Sequence, residues 1–147
     1  VSAVYDDARA FSLRDRDAQP ELINDIDHIR RMRLSCRAAE NLMLSDEVLA
    51  AAGTDWNAMS QKIALWIEKN QKHQYHSDMA YFEAGGLDRK NSDLKEIRNL
   101  LVGLISNKPW EVLVGQTIAS LRQDSPVADG HMREFLGQRV CQDLLHL

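Results

Sequence analysis

The chain has 147 residues, with 18 Lys and Arg against 22 Asp and Glu, a formal net charge of -4, 44% hydrophobic and 27% charged residues. That is the composition of one ordinary folded domain, and with only 7 Gly, 3 Pro and 2 Cys it excludes collagen-like, disulfide-scaffold and wholly disordered chains. The mild acidity argues against broad nonspecific coating of DNA, yet leaves room for a local basic patch or a metal-bridged approach to phosphate.

The first predicted element is a short strand at Ala10-Phe11-Ser12-Leu13. From Pro20, which suits a helix start, Glu21 to Arg31 places Leu22, Ile26 and Ile29 near one face and predicts a helix. A second strand is expected at Met32-Arg33-Leu34-Ser35-Cys36, which makes the opening a strand, helix, strand crossover of parallel type. Thr54 to Lys72 begins with a good cap residue and aligns Met59, Ile63, Trp66 and Ile67. Ser92 to Ser106 aligns Leu94, Ile97, Leu101, Leu104 and Ile105, and the spread of Leu100, Leu101, Leu104 and Ile105 over more than one face predicts contact on two sides. Pro109 opens a helix through about Leu121, and Gly130 precedes a last one carrying Met132, Phe135, Leu136, Val140 and Leu144. Loops are expected at Gly53, at Gly85-Gly86 and from Asp124 to Asp129. The reading is a partial α/β unit over residues 1–49 and a helical extension over residues 50–147, mostly helical in sum.

The longest apolar runs, such as Leu100 to Ile105, fall far short of the roughly 18 to 20 residues that cross a bilayer. The N-terminus, with Asp6-Asp7, lacks the pattern of a signal peptide. Cys36 and Cys141 belong to no CxxC pair and read as reduced, buried thiols of a cytoplasmic protein. The chain begins at Val1 rather than Met, which reads as a processed chain or a part of something longer.

The run Leu13-Arg14-Asp15-Arg16-Asp17 sets two carboxylates at i and i+2 at a strand's end, where both share one face and project into the crevice that open α/β sheets use for ligands. Paired hard oxygens there suit Mg2+, although Asp25-x-Asp27 repeats the pattern and acid pairs arise by chance in so charged a chain. Arg30, Arg31, Arg33 and Arg37 form the most basic patch, either a phosphate-holding surface or a solvated face paired with Asp25 and Asp27. Lys108, just before the Pro109 helix, stands where a cation and free N–H groups meet a phosphate. His73-x-x-His76 with Asp78 has metal-like spacing but reads as a polar helix end, and Trp56, Trp66 and Trp110 lie on apolar helix faces as core residues. No P-loop, GxGxxG or GxSxG is present.

The stretch Ala10 to Asp17, then a helix, then Leu34-Ser-Cys-Arg-Ala-Ala-Glu-Asn-Leu-Met-Leu-Ser-Asp-Glu-Val-Leu49 resembles the C-terminal half of TOPRIM domains of the overcoming-lysogenization-defect nucleases and related phage-defence proteins. Those domains are fused to, or partnered with, ABC-type ATPases. The resemblance rests on Asp-x-Asp at the strand end and on Arg37, Glu40, Asn41 and the Leu42-Met43-Leu44 run, and it covers about residues 10 to 49. It implies that Asp15 and Asp17 bind Mg2+ or Mn2+ and that Glu40 is a further acid of the metal cluster, a role that competes with the plainer one of an acid at a helix N-terminus. It implies catalytic roles for Asp15, Asp17, Glu40 and Lys108 in phosphodiester hydrolysis, while the basic patch puts Arg33 and Arg37 on the nucleic acid. The family's essential Glu after the first strand would lie upstream of Val1, so the chain alone is expected to be inactive, or nearly so, on DNA. The implied partners are nucleic acid, an ABC-type ATPase in the same or another chain and a second copy, with no membrane. The competing reading is a non-catalytic module whose helices from Thr54 onward dock another protein.

Overall fold

The computed structural model describes residues 10–121 and 130–147, so the expected loop from Asp124 to Asp129 lies outside the described residues. Two strands, β1 (Ala10–Arg14) and β2 (Ile29–Arg33), pair in parallel with Ala10 beside Ile29 and Arg14 beside Arg33. The N–H of Leu34 donates to the carbonyl of Arg14 at 3.0 Å and carries the pairing one step further. Because the strands run parallel, the segments that leave them, 15–17 and 34–40, emerge at the same end of the sheet. β2 starts three residues before the expected second strand.

The helix expected from Glu21 to Arg31 does not form. Between the strands the chain runs through turns, Leu22 is 84% exposed, and Ile29 belongs to β2. Local and distant groups take the hydrogen bonds a helix would need. Ile26 and Ile29 exchange both main-chain bonds, at 3.1 and 2.8 Å, and Asp27 adopts a positive φ of 51°. The Asp25 carboxylate accepts the Arg31 N–H at 3.1 Å. From the far end of the chain, the Arg139 guanidinium donates to the carbonyls of Ile23 at 3.0 Å and Arg31 at 2.8 Å and to the Asp25 carboxylate.

The remaining elements are helical. A 3-10 segment, Ala39–Leu44, leads into α1 (Asp46–Ala51), then come α2 (Trp56–Lys69), α3 (His76–Ala84), α4 (Arg98–Gly103), α5 (Trp110–Ser120) and α6 (His131–Leu136), and a π-helical turn, Val140–Leu144, follows. The chain is thus mostly helical with a small two-stranded parallel sheet. Asp55, not Thr54, caps α2 by accepting the Ala58 N–H at 2.8 Å, and Met59 and Ile63 bury the helix's inner face. α4 is far shorter than the periodicity of 92–106 predicts, because the Asp93 carboxylate accepts the Lys95 N–H at 3.1 Å and holds a turn there in place of a first helical turn. Leu94 and Ile97 are still buried, but from that turn. α3 was not expected; it buries Met79 and Phe82.

One continuous core joins Met32, Leu34 and Leu42 to Leu49 with Met59, Ile63, Phe82, Leu101, Leu113 and Phe135, so packing runs unbroken across the expected boundary at residues 49 and 50. Leu100, Leu104 and Ile105 pack partly buried against the core that covers Leu101, so the chain's own core covers this helix. Trp56, Trp66 and Trp110 also pack against it. Both cysteines are free and buried.

The helix expected over Gly130 to Leu144 is broken at Gly137, which has φ 93° and ψ 153°. This region is open essentially to glycine alone. A Cβ at this position would also lie 2.6 Å from Glu21 Oε1 and 3.2 Å from Ser35 Cβ. Gly137→Ala is therefore expected to cost about 1–3 kcal/mol, read as a lower urea midpoint with unchanged m. The Arg31 N–H first, and then the Arg139 guanidinium, hold the Asp25 carboxyl below the usual carboxylate range against the opposing effect of desolvation. A depressed folded-state pKa gives stability that is full above the unfolded value of about 3.9 and is lost as pH falls through the lower folded value. The difference in denaturant midpoint between the wild type and Asp25→Asn should accordingly shrink as pH is lowered from about 5 to about 3.

Candidate functional site

The segments leaving β1 and β2 are stapled to each other. The Asp17 N–H donates to the Arg37 carbonyl at 2.7 Å, and Asp15 Oδ1 accepts the Ala39 N–H at 2.9 Å. Arg16 reaches the Ser35 carbonyl through Nε at 2.9 Å and Asn91 Oδ1 through Nη2 at 2.7 Å. Asp17 has φ 52° and β1 ends at Arg14, so Asp15 and Asp17 do not lie on one extended strand. They meet in one pocket nonetheless. A cavity of about 410 Å3 is lined by Asp15, Asp17, Arg37, Glu40, Asp93, Lys95 and Arg98 together with Ala38.

Buried Asn41 anchors the far wall. Its Oδ1 accepts the Ala38 N–H at 3.1 Å, and its Nδ2 donates to the carbonyls of Arg89 and Ser92, both at 2.9 Å. The 3-10 segment that carries Glu40 is thereby tied to the loop that carries Asp93. Arg37 donates its N–H to the Lys90 carbonyl at 2.8 Å and completes the link. Under this wall Cys36 is fully buried, its thiol donating to the Ala38 carbonyl at 3.2 Å, and burial first, with the Asp15 charge second, pushes the thiol up to about 12. Burial and this shift both favour the protonated thiol over the thiolate.

Glu40 is 7% exposed, with Oε1 4.0 Å from an Arg98 guanidinium nitrogen. Arg37 stands 3.9 Å from the Asp93 carboxylate. These are long ion pairs rather than formed hydrogen bonds. Among the described residues, no group of three His, Cys, Asp or Glu side chains is arranged to hold a metal ion. The donor set still suits Mg2+, which takes one or two carboxylates and keeps waters and substrate oxygens in its remaining positions, but it does not form the three-acid cluster the resemblance implies.

Two other predicted residues lie elsewhere. Arg33 donates to the Pro20 carbonyl at 3.0 Å and braces the turn between the strands. Lys108 lines a separate cavity of about 530 Å3 with Asp46, Glu47 and Thr117, and its Nζ donates to Gln116 Oε1 at 3.3 Å. The arginine patch is dispersed as well, with Arg30 pairing with Asp143 at 3.1 Å, while the partner of Asp25 is Arg139. His73 is exposed: Nδ1 accepts the Tyr75 N–H at 3.0 Å and the ring packs edge-on to Trp66 with centroids 5.0 Å apart. The pocket residues that sequence reasoning missed are Asp93, Lys95 and Arg98. Nothing local marks them, because only the fold brings this turn against residues 15–40.

Compared with protein-family models, with curated proteins and with solved structures, the chain has no significant match. No described helix is long and apolar enough to cross a membrane.

Proposed function

We propose that the pocket at the carboxyl ends of β1 and β2 is the metal-binding part of a Mg2+-dependent, TOPRIM-type nuclease that works in the cytoplasm with an ATPase. One observation carries this reading: Asp15, Asp17, Glu40 and Arg37, singled out along the chain, line one cavity at the strand ends, with Lys95 and Arg98 added from a distant turn. A sheet's carboxyl end is where open α/β folds place ligands. When bound there, Mg2+ or Mn2+ would polarise a phosphoryl oxygen and make water a better nucleophile. The chain's own groups have separable tasks. Asp15, fixed through Oδ1 by the Ala39 N–H, lines the cavity, and its other oxygen makes no hydrogen bond among the described residues. Glu40, nearly buried and facing Arg98, supplies a second carboxylate on a rigid segment. Arg37, Lys95 and Arg98 balance the charge of an entering phosphodiester.

The test is Mn2+ binding followed by calorimetry. Asp15→Asn and Glu40→Gln should each weaken Mn2+ at least about tenfold, while Glu68→Gln, on the exposed side of α2, should change nothing. Unaltered affinity in both pocket variants would sink the metal reading.

A separate observation favours the protein-contact reading. Exposed large apolar residues concentrate in the strand unit, at Phe11, Leu13, Leu22, Ile26 and Ile29, rather than on the helices from Thr54 onward. Under this reading the ATPase partner, or a second copy, covers the strand unit and leaves the pocket open.

A further inference from the structure

The metal pocket does not end at Arg37 and Asp93. Both residues also line a second cavity of about 500 Å3, whose other walls include Asp78, Tyr81, Phe82 and Asn91. The two cavities therefore adjoin, sharing Arg37 and Asp93, and taken as one groove they reach from the strand ends to α3.

The halves of this groove offer different chemistry. In the first, three cationic side chains are held without short partners. The nearest anion to Arg98 is Glu40 at 4.0 Å, the nearest to Arg37 is Asp93 at 3.9 Å, and the Lys95 ammonium makes no hydrogen bond among the described residues. Donors left open in this way suit an oxyanion that is not part of the chain. In the second, Tyr81 is 83% exposed although its helix neighbours Met79 and Phe82 are buried, so its ring forms an open wall and is not packed into the core. Asp78 lies one helical turn earlier on the same side of α3, and its carboxylate accepts no hydrogen bond among the described residues. An aromatic face beside a carboxylate acceptor suits a nucleobase, whose ring stacks and whose amino group donates.

We propose that the groove takes a single-stranded nucleic acid, with a phosphodiester among Arg37, Lys95 and Arg98 and an adjacent base stacked on Tyr81 beside Asp78. The proposal rests on the metal reading of the first cavity, where a bound cation offsets the carboxylates that would otherwise repel the strand. A duplex keeps its bases stacked inside and presents none to Tyr81, whereas a single strand splays a base out at little cost.

The experiment measures binding of a fluorescent 12-mer by anisotropy, as single-stranded DNA, single-stranded RNA and DNA duplex, in Ca2+ and in EDTA. The single strands should bind about tenfold tighter than the duplex, Tyr81→Ala should remove most of that preference, and Tyr81→Phe should keep it, as base–aromatic stacking requires. Arg98→Gln should weaken single strands and duplex alike. Equal binding of duplex and single strand, or single-strand affinity unchanged in Tyr81→Ala, overturns the groove. A parallel Mn2+ titration of the Tyr81 variants should match the wild type. Failure of the wild type to bind Mn2+ overturns the metal reading and the groove with it, whereas Mn2+ binding without a single-strand preference in Ca2+ overturns the groove alone. A difference between DNA and RNA with the Tyr81 effect intact identifies which single strand the groove prefers.

Discussion

Replacing Asn41 with alanine is expected to lower stability by about 2–4 kcal/mol, from leaving one buried N–H and two carbonyls without their partner. The side chain is fully buried, and its amide is the sole side-chain link between the Glu40 segment and the carbonyls of Arg89 and Ser92 among the described residues. The Ala38 N–H loses its acceptor at the same time. Asn41→Asp should be no milder, since a carboxylate keeps the acceptor but loses both donors and adds a buried charge. Mn2+ affinity should fall with stability, because the wall that carries Glu40 is no longer held against the loop that carries Asp93. Urea unfolding checks the first outcome and calorimetry the second. A loss below about 1 kcal/mol, no more than one ordinary hydrogen bond, would show that packing and the remaining bonds, from the Arg37 N–H to the Lys90 carbonyl and from Arg89 to the Leu44 carbonyl, hold the two segments.

Phe135→Ala is expected to be the most damaging single change in the core, at about 3–5 kcal/mol. The ring is 1% exposed and lies 4.4 Å, centroid to centroid, from His131. Its position joins the two parts of the molecule: the Phe135 carbonyl accepts the Cys36 N–H at 2.8 Å, while α6 packs on α1 and on the 3-10 segment. The cavity left by the ring would therefore open between the strand unit and the helices. Phe135→Leu, which keeps most of the volume, should cost less than half as much. Thermal and urea unfolding give the ranking, and the free thiol of Cys36 gives an independent reading, since its labelling by a thiol reagent should speed up in Phe135→Ala before global unfolding.

Much of the helical part was legible because its determinants are local. In α2 the apolar positions Met59, Ile63, Trp66 and Ile67 recur at helical spacing behind a capping aspartate, and in α5 Pro109 stands at the start with Leu113, Val114 and Thr117 inside. The segment 21–31 shows the same spacing with the opposite outcome. Leu22, Ile26 and Ile29 mimic a helix face, but there is no core beneath them and Arg139 claims the carbonyls. α3 was missed because only two of its side chains, Met79 and Phe82, are buried, too few to set a period. For the site, Asp15, Asp17, Arg37 and Glu40 could be grouped because parallel strands bring neighbouring segments to one end. Lys95 and Arg98 could not, since their approach depends on Asn41 and on a turn set by Asp93, and Lys108 lies on another cavity beside α1 and α5.

The Arg139 clasp also sets an order of events during folding. Its contacts with Ile23, Asp25 and Arg31 span separations of 116, 114 and 108 residues, and the Ser35 N–H bonds across to Leu136 as well. Such closures cost chain entropy early and are rewarded late, so they slow folding. During synthesis, the Arg139 bonds to the turn between β1 and β2 can form only after residue 139 has left the ribosome. Until then the turn has its local bonds, Ile26 with Ile29 and Asp25 with the Arg31 N–H, without the clasp from the far end of the chain.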